Sequence, residues 1–195
     1  MKKITIILDA AHGEETPGKR SPDGTFREYR WSREIIAKLK ATLKSQGYEV
    51  FESNPSDKEI GLKQRVANTN KINRKKIFIS IHSDAAGDGT KWMEARGYSV
   101  YTTPGQNNSD KVAEIILNNI QSNFPELRGR FDFSDTDKDK EADFYVLKGV
   151  TCPAILLEWC FQDNKEDVKI LQSEEYNNKL IEVLVTSINE VNEIL

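Results

Sequence analysis

Three side chains that could bind a metal or move a proton each follow a short apolar run of the kind that predicts a buried strand. They are the imidazoles of His12 and His82, the only histidines in the chain, and the carboxylate of Glu158. The three apolar runs are Ile4 to Leu8, Ile77 to Ile81 and Ala154 to Leu157. In an open α/β sheet, ligands bind at the carboxyl ends of the strands, so we expect these side chains to converge on one crevice. Two imidazoles and a carboxylate in one cleft indicate a metal site.

The residues alone leave the third metal ligand open. Catalytic zinc is commonly held by three protein ligands, including His-His-Glu sets, with a fourth position left for water. Glu14, Glu15 and Glu28 all follow His12 within a short stretch of chain. Glu28 precedes a long helical pattern, where an acid is also favoured simply by the helix dipole. Each histidine taken singly is more typical of a hydrogen-bonded loop residue, and it is their joint placement that favours a metal.

The composition is that of an ordinary globular protein. The chain has 195 residues, of which 30% are charged, and a net charge of −3, which gives no electrostatic footprint for nucleic acid. This length predicts a single domain, residues 1–195, that can bury a core without disulfides. The apolar run before Asp9 is too short for a signal-peptide core, and no stretch reaches transmembrane length. We therefore expect cytoplasmic synthesis without a signal peptide, no membrane insertion and no nucleic-acid partner.

Strand patterns alternate with helical patterns along the chain, which predicts an α/β fold with a largely parallel central sheet. Strands are predicted over Lys3 to Leu8, Tyr48 to Phe51, Ile77 to Ile81, Gly97 to Tyr101, Phe144 to Leu147 and Ala154 to Leu157. Helices are predicted over Tyr29 to Gln46, Ser56 to Asn73, Ser109 to Ser122 with Ser109 as its cap, and Glu174 to Leu195.

The two cysteines do not make a disulfide framework. If strand alternation continued through Cys160, its thiol would point to the same side as Glu158. A cysteine nucleophile would need a histidine within hydrogen-bond reach, and both histidines are expected to bind the metal. We therefore interpret Cys152 and Cys160 as buried packing groups.

Five blocks of the sequence, in this order and spacing, resemble the zinc-dependent N-acetylmuramoyl-L-alanine amidases of the Amidase_3 type, including endolysin catalytic domains. The blocks are Leu8-Asp9-Ala10-Ala11-His12-Gly13, Arg27-Glu28, Arg65-Val66-Ala67-Asn68, Ile79-Ser80-Ile81-His82-Ser83-Asp84-Ala85 and Ile155-Leu156-Leu157-Glu158-Trp159-Cys160-Phe161-Gln162-Asp163-Asn164. Two blocks depart from the common pattern. Ala10-Ala11 stands where Pro-Gly is more usual, and Trp159-Cys160 replaces the usual residues before Phe161.

The resemblance implies a role for each candidate residue. His12, Glu28 and His82 would bind zinc, so that Glu28 is chosen among the three glutamates, and Glu158 would be the catalytic base. The reaction implied is hydrolysis of the amide between N-acetylmuramic acid and L-alanine in peptidoglycan. The fold implied is one α/β domain, similar to zinc exopeptidases, with a mixed, mostly parallel sheet flanked by helices.

Other functions and settings stay open at this stage. A zinc metallopeptidase that acts on stem peptides would keep the same metal chemistry, and a non-catalytic peptidoglycan-binding module would not hydrolyse its ligand. The protein is expected to act on the cell wall without a separate wall-binding domain, reaching it through phage-induced lysis or by export along another route.

The charged segment Arg128 to Asp143 lacks periodicity and is interpreted as an exposed loop beside the substrate groove. Asp135, Asp137 and Asp139 alternate as at the start of an EF-hand, but Lys140 occupies the sixth position, where glycine is needed. Calcium binding is therefore not expected. The cations of this segment that could meet stem-peptide carboxylates are Arg128, Arg130 and Lys140.

Overall fold

The computed structural model describes residues 3–134 and 136–195, which contain one six-stranded sheet with the strand order β2-β1-β3-β6-β4-β5. The strands are β1 Thr5–Ala10, β2 Val50–Glu52, β3 Lys76–Asp84, β4 Tyr98–Thr102, β5 Lys140–Glu141 and β6 Ala154–Phe161. Four neighbouring pairs are parallel, and only β4 with β6 is antiparallel among these strands. The predicted mixed, mostly parallel sheet is confirmed.

Six helices flank this sheet in the described part of the chain. They are α1 Glu28–Ser45, α2 Leu62–Asn70, α3 Asn108–Asn123, α4 Tyr145–Gly149, α5 Lys165–Leu171 and α6 Glu174–Ile194. None of them is both long and apolar enough to cross a membrane.

Alternation along the strands divides the apolar side chains between two clusters. Ile6 and Leu8 of β1 belong to the main core, together with buried residues of α1, α3 and α6, whereas Ile7 belongs to a smaller cluster. That smaller cluster includes Val146 and Leu147 of α4, and Val66 of α2 packs against it. Burial on both faces explains why the central strands are nearly continuous apolar runs.

Local sequence explains where the longer helices form and end. In α1 the buried residues recur at helical spacing along one side: Trp31, Ile35, Ile36, Leu39 and Leu43. The turn after α1 contains Gly47 with φ of +86°, a conformation that glycine adopts without steric cost. Helix α3 begins with a capping box in which the side chain of Asn107 caps the helix and Asp110 bonds back to the Asn107 amide. The prediction of Ser109 as the cap is therefore wrong.

Two short elements differ from the sequence prediction. The predicted strand Phe144 to Leu147 is wrong, because Tyr145–Gly149 forms α4. An apolar run of this length does not distinguish a strand from a buried helical turn, and here its apolar side chains pack on the sheet. Helix α5 was not predicted at all.

The segment 128–143 is also not a simple exposed loop. It contributes the two-residue strand β5 to the sheet edge, and Asp139 within it is only 1% exposed. Asp135, which opened the EF-hand-like pattern, lies outside the described residues, as do Met1 and Lys2.

Candidate metal centre and active site

The two histidines reach the centre from different local structures. His12 lies just beyond the end of β1 in the left-handed region, with φ of +45°, which is uncommon for a residue with a side chain. The guanidinium of Arg33 supports this turn by donating to the carbonyls of Ala11, at 2.9 Å, and His12, at 2.8 Å. His82 lies inside β3, because that strand extends to Asp84 rather than ending at Ile81 as predicted. The imidazole rings meet edge to face with centroids 5.1 Å apart.

Glu28, the first residue of α1, lies between the two imidazoles and is only 1% exposed. Its Oε1 is 3.0 Å from Nδ1 of His82 and 3.6 Å from Nε2 of His12. The amide of Ser83 donates to the same oxygen at 3.2 Å, and Nε2 of Gln162 donates to Oε2 at 2.9 Å. Both oxygens of the carboxylate are therefore oriented by the protein.

Ionisation at this centre favours metal binding. Burial lowers the pKa of His12 to about 4, although the charge of Glu28 opposes this. Burial also works against ionisation of Glu28, but the hydrogen bond from His82 and the charges of both histidines hold its pKa below the ordinary value. At neutral pH His12 is thus neutral and Glu28 is ionised, as metal ligands must be.

The donor set fits a zinc ion. One nitrogen of each imidazole and one carboxylate oxygen all lie within 4.8 Å of one another. His-His-Glu is a ligand set of catalytic zinc, and imidazole is a ligand that zinc accepts readily. The structure therefore brings His12, Glu28 and His82 together as a possible metal site.

Glu158 lies beside this site on the neighbouring strand. In the parallel β3–β6 ladder it is the register partner of His82. Its Oε2 is buried and has no hydrogen-bond partner in the described part of the chain. Burial, together with the charges of Glu28 and Asp84, raises the pKa of Glu158 well above its ordinary value. A carboxyl group with a free oxygen and a raised pKa is a stronger base than an ordinary carboxylate, which suits it to accept a proton.

All four predicted site residues line one cavity of about 600 Å³. Exposed apolar side chains lie at its border, namely Leu62, Phe144 and Tyr145. Lys19 also lines it, and the charges of Lys19 and Lys140 both act to lower the pKa of Glu158. Arg128 is exposed, whereas Arg130 is half-buried with its guanidinium 5.1 Å from the ring centre of Phe161. The cavity thus offers an apolar border and positive charge around a carboxylate centre.

Strand β6 contains a bulge directly after Glu158. His82 pairs with Glu158, but Asp84 pairs with Phe161, so that β6 has one residue more than β3 over this stretch. Cys160 has φ of +60° and is completely buried in the main core, together with Trp159. Strand alternation therefore does not continue through Cys160, and its thiol does not line the cavity. This geometry does not support a cysteine nucleophile.

A buried polar network underlies the cavity. Asp9 is fully buried and accepts hydrogen bonds from Ser80, at 2.7 Å, and from Ser53. Arg65, only 2% exposed, lies 3.4 Å from Asp9 and donates to the carbonyl of Ala10 at 2.8 Å. Asp9 and Arg65 both lie in blocks that carry the family resemblance, but sequence reasoning gave them no role. Gln162 was also given no role, because nothing in the local sequence indicates its bond to Glu28.

Comparisons with known proteins identify the family of this chain. The N-acetylmuramoyl-L-alanine amidase family, Amidase_3, matches residues 6–190. The crystal structure of an N-acetylmuramoyl-L-alanine amidase from Clostridium difficile 630 has a TM-score of 0.85 and 25% sequence identity, and the match covers 97% of each chain.

Two curated relatives come from different biological settings. The N-acetylmuramoyl-L-alanine amidase AmiC of Neisseria meningitidis is 26% identical over 219 residues, which cover 96% of this chain and 52% of AmiC. The endolysin of Bacillus phage SPP1 is 26% identical over 194 residues, which cover 98% of this chain and 66% of the endolysin. The chain thus spans about half the length of AmiC. Because the family match extends over nearly all of its residues, the chain belongs to the Amidase_3 family of N-acetylmuramoyl-L-alanine amidases.

Proposed function

We propose that this protein hydrolyses the amide between N-acetylmuramic acid and L-alanine in peptidoglycan, with zinc as its metal. The observation that carries the proposal is the convergence of His12, Glu28 and His82 beside the free carboxyl oxygen of Glu158. Family membership supports the choice of bond. Residues 6–190, which match the family, would form the catalytic domain.

The metal would be held by His12, Glu28 and His82. Bound zinc lowers the pKa of water from its bulk value to about 7 and polarises the carbonyl that is attacked. The hydrogen bonds from Ser83 and Gln162 would keep the carboxylate of Glu28 aimed at the metal. Such outer partners are known to tune both the orientation and the affinity of metal ligands.

Glu158 would move the proton of the reaction. Its free Oε2 accepts a proton from the attacking water as the carbon–oxygen bond forms, and the protonated carboxyl then donates this proton to the departing amine of L-alanine. The carboxyl group thus acts first as a general base and then as a general acid. Its raised pKa makes it a stronger base than an ordinary carboxylate, which favours uptake of the proton from water.

The cavity border would position the substrate. Stem peptides carry free carboxylates, and the positive side chains of Lys19 and Lys140 act on the same region as Glu158. The exposed rings of Phe144 and Tyr145 offer apolar surface at the opening. We infer that the cations hold the stem peptide and that the apolar border contacts the lactyl group and the sugar.

The first experiment measures new L-alanine amino termini released from purified peptidoglycan. We expect release by the zinc-loaded protein, its loss on treatment with a zinc chelator, and its recovery when zinc is returned. Glu158→Gln should fold and keep its zinc but lose activity by about 10²- to 10⁴-fold, the usual contribution of general acid–base catalysis. Glu166→Gln is the matched control, because Glu166 is exposed on α5 and paired with Lys169.

The products of the same experiment test the alternatives. A stem-peptide metallopeptidase would release other amino termini and leave L-alanine attached to the glycan. A binding module would sediment with peptidoglycan without releasing any amine. Either pattern, or full activity of purified Glu158→Gln, would contradict the proposal.

We further propose that the protein acts on the bacterial cell wall. The similarity to a phage endolysin supports release during phage-induced lysis, and the similarity to a bacterial amidase supports export by another route. Addition of the purified protein to intact cells and, separately, to isolated walls would show whether it needs access through the membrane. Hydrolysis of isolated walls alone would support action from the inside.

A further inference from the structure

Three aspartates converge at the sheet edge, away from the cavity that holds Glu158. Asp110 lies in the first turn of α3, and Asp137 and Asp139 precede β5. One carboxylate oxygen from each lies within 4.8 Å of the other two. Asp110 and Asp139 are only 5% and 1% exposed. We call these three residues the aspartate cluster.

Hydrogen bonds do not satisfy the cluster. The hydroxyl of Thr102 lies 2.6 Å from Oδ2 of Asp139 and 3.2 Å from Oδ1 of Asp110, but it has a single hydrogen to donate. Oδ1 of Asp139 and Oδ1 of Asp137 are buried and accept no hydrogen bond from an N–H or hydroxyl group among residues 3–134 and 136–195. An unpartnered carboxylate oxygen in a side chain this deeply buried is costly unless something else binds it.

The remaining contacts of the cluster have ordinary structural explanations. Oδ2 of Asp110 accepts from the Asn107 amide as part of the α3 capping box. Oδ2 of Asp137 accepts from Nε2 of Gln106 at 2.6 Å. These bonds use Oδ2 of each carboxylate and do not involve Oδ1 of either residue.

No lysine or arginine among the described residues forms an ion pair with the cluster. Lys138 stands between two of the aspartates in sequence, yet its ammonium group donates to Asn118 and Gln121 at 2.6 and 2.9 Å. Burial, then the charges of Asp137 and Asp110 and a hydrogen bond with the Asp137 side chain, raise the pKa of Asp139 to about 7, although the Thr102 bond opposes this. The aspartate cluster therefore has no positively charged side chain paired with it among the described residues.

We propose that Asp110, Asp137 and Asp139 bind a hard divalent cation such as calcium, with waters completing its oxygen ligands. Carboxylate oxygens are the ligands that calcium and magnesium prefer. This site is not an EF-hand, since Asp110 comes from a distant helix, and it reverses the sequence-based expectation that calcium is not bound. The cation would join the start of α3 to the strand β5 at the sheet edge.

The test is a calorimetric titration of the zinc-loaded protein with calcium and, separately, with magnesium. We expect saturable binding with a dissociation constant at or below about 1 mM, and a higher melting temperature when the site is filled. The preferred ion is the one bound more tightly. Absence of binding by both ions up to about 10 mM would overturn the proposal, and would mean that the carboxylates share a proton instead.

Variants locate the binding. Asp139→Asn keeps an oxygen that can accept from Thr102 but removes one charge, so we expect at least a tenfold weaker affinity and no cation-dependent rise in melting temperature. Asp143→Asn is the control, because Asp143 is exposed, pairs with Lys148 and lies outside the cluster. Unchanged affinity in Asp139→Asn, or equal loss in both variants, would exclude this site. Amidase activity need not be measured, so the result is independent of the proposed reaction.

Discussion

At the scale of single residues, His12 shows how an imidazole is presented to the cavity. Its positive φ is uncommon for a residue with a side chain, and the Arg33 guanidinium holds the turn through the carbonyls of Ala11 and His12. Arg33 also donates to the carbonyl of Ser56 beyond β2. One half-buried cation thus supports the backbone that carries a proposed metal ligand.

The reactivity of the two cysteines, also a property of single residues, tests whether their thiols are packing groups. Burial raises the pKa of Cys152 to about 11 and also raises that of Cys160 above its ordinary value. At pH 8 roughly one in a thousand Cys152 groups would be the reactive thiolate. We expect a thiol reagent such as dithionitrobenzoate to label both cysteines slowly in the native protein and rapidly in urea.

The activity of a Cys160 variant distinguishes a packing role of this residue from a catalytic one. Cys160→Ser should retain amidase activity, because the thiol lies in the main core. The assay is the release of L-alanine amino termini, with the unfolding midpoint measured alongside to account for any loss of folded protein. A folded Cys160→Ser variant without activity would contradict the assignment of the chemistry to Glu158.

At the scale of elements, sequence periodicity predicted the major helices and the central strands but not all their ends. The apolar runs before His82 and Glu158 predicted β3 and β6, yet both strands continue through these polar residues. Periodicity does not detect this, because the strands extend by backbone pairing with each other. The helix α4 was missed because four apolar residues fit either a strand or a buried turn.

Arg65 of α2 should contribute strongly to stability. It is buried against Asp9 and donates to backbone carbonyls of Ala10 and Ile60. Arg65→Met keeps much of the side-chain volume but leaves the Asp9 carboxylate without its cation, which typically costs about 3–5 kcal/mol. We expect a clearly lower urea midpoint with an unchanged slope.

Arg74→Met is the control for this measurement. Arg74 also forms an ion pair, with Glu49, but both side chains are about half exposed. Solvent screens such a pair, so its loss should leave the urea midpoint nearly unchanged. Equal shifts of the urea midpoint in the two variants would show that burial does not determine how much the Arg65 ion pair contributes to stability.

At the scale of the whole molecule, the sequence predicted much of the centre because the fold follows a general rule. Parallel strands bring polar residues at their carboxyl ends together, which accounts for His12, His82 and Glu158 in one cavity. Glu28 required the family resemblance, since it comes from the first residue of a helix. Gln162 and the aspartate cluster depend on contacts between distant segments, and no local pattern encodes them.

The metal-free protein should remain folded. The main core joins the sheet to α1, α3 and α6 without using the metal ligands, so phenanthroline should preserve the far-ultraviolet circular dichroism spectrum. Zinc at about 100 times its dissociation constant adds about 2.7 kcal/mol of stability, which corresponds to a rise of about 5–10 °C in melting temperature.

His82→Ala identifies the source of that rise. The variant loses one of three ligands, so it should bind less than stoichiometric zinc and show no zinc-dependent change in melting temperature. Zinc content by atomic absorption and the melting curve are measured on the same sample. A full complement of zinc in the variant would exclude His82 as a ligand.

The bulge in β6 has a consequence for which side chains can compete for a metal ion. In a regular strand, Cys160 would point to the same side as Glu158. Because of the extra residue, Phe161 rather than Cys160 stands opposite Asp84, and Cys160 lies in the main core. Thiolates are strong ligands of zinc. The bulge thus leaves Glu158 in register with His82 while it keeps a competing sulfur ligand out of the cavity.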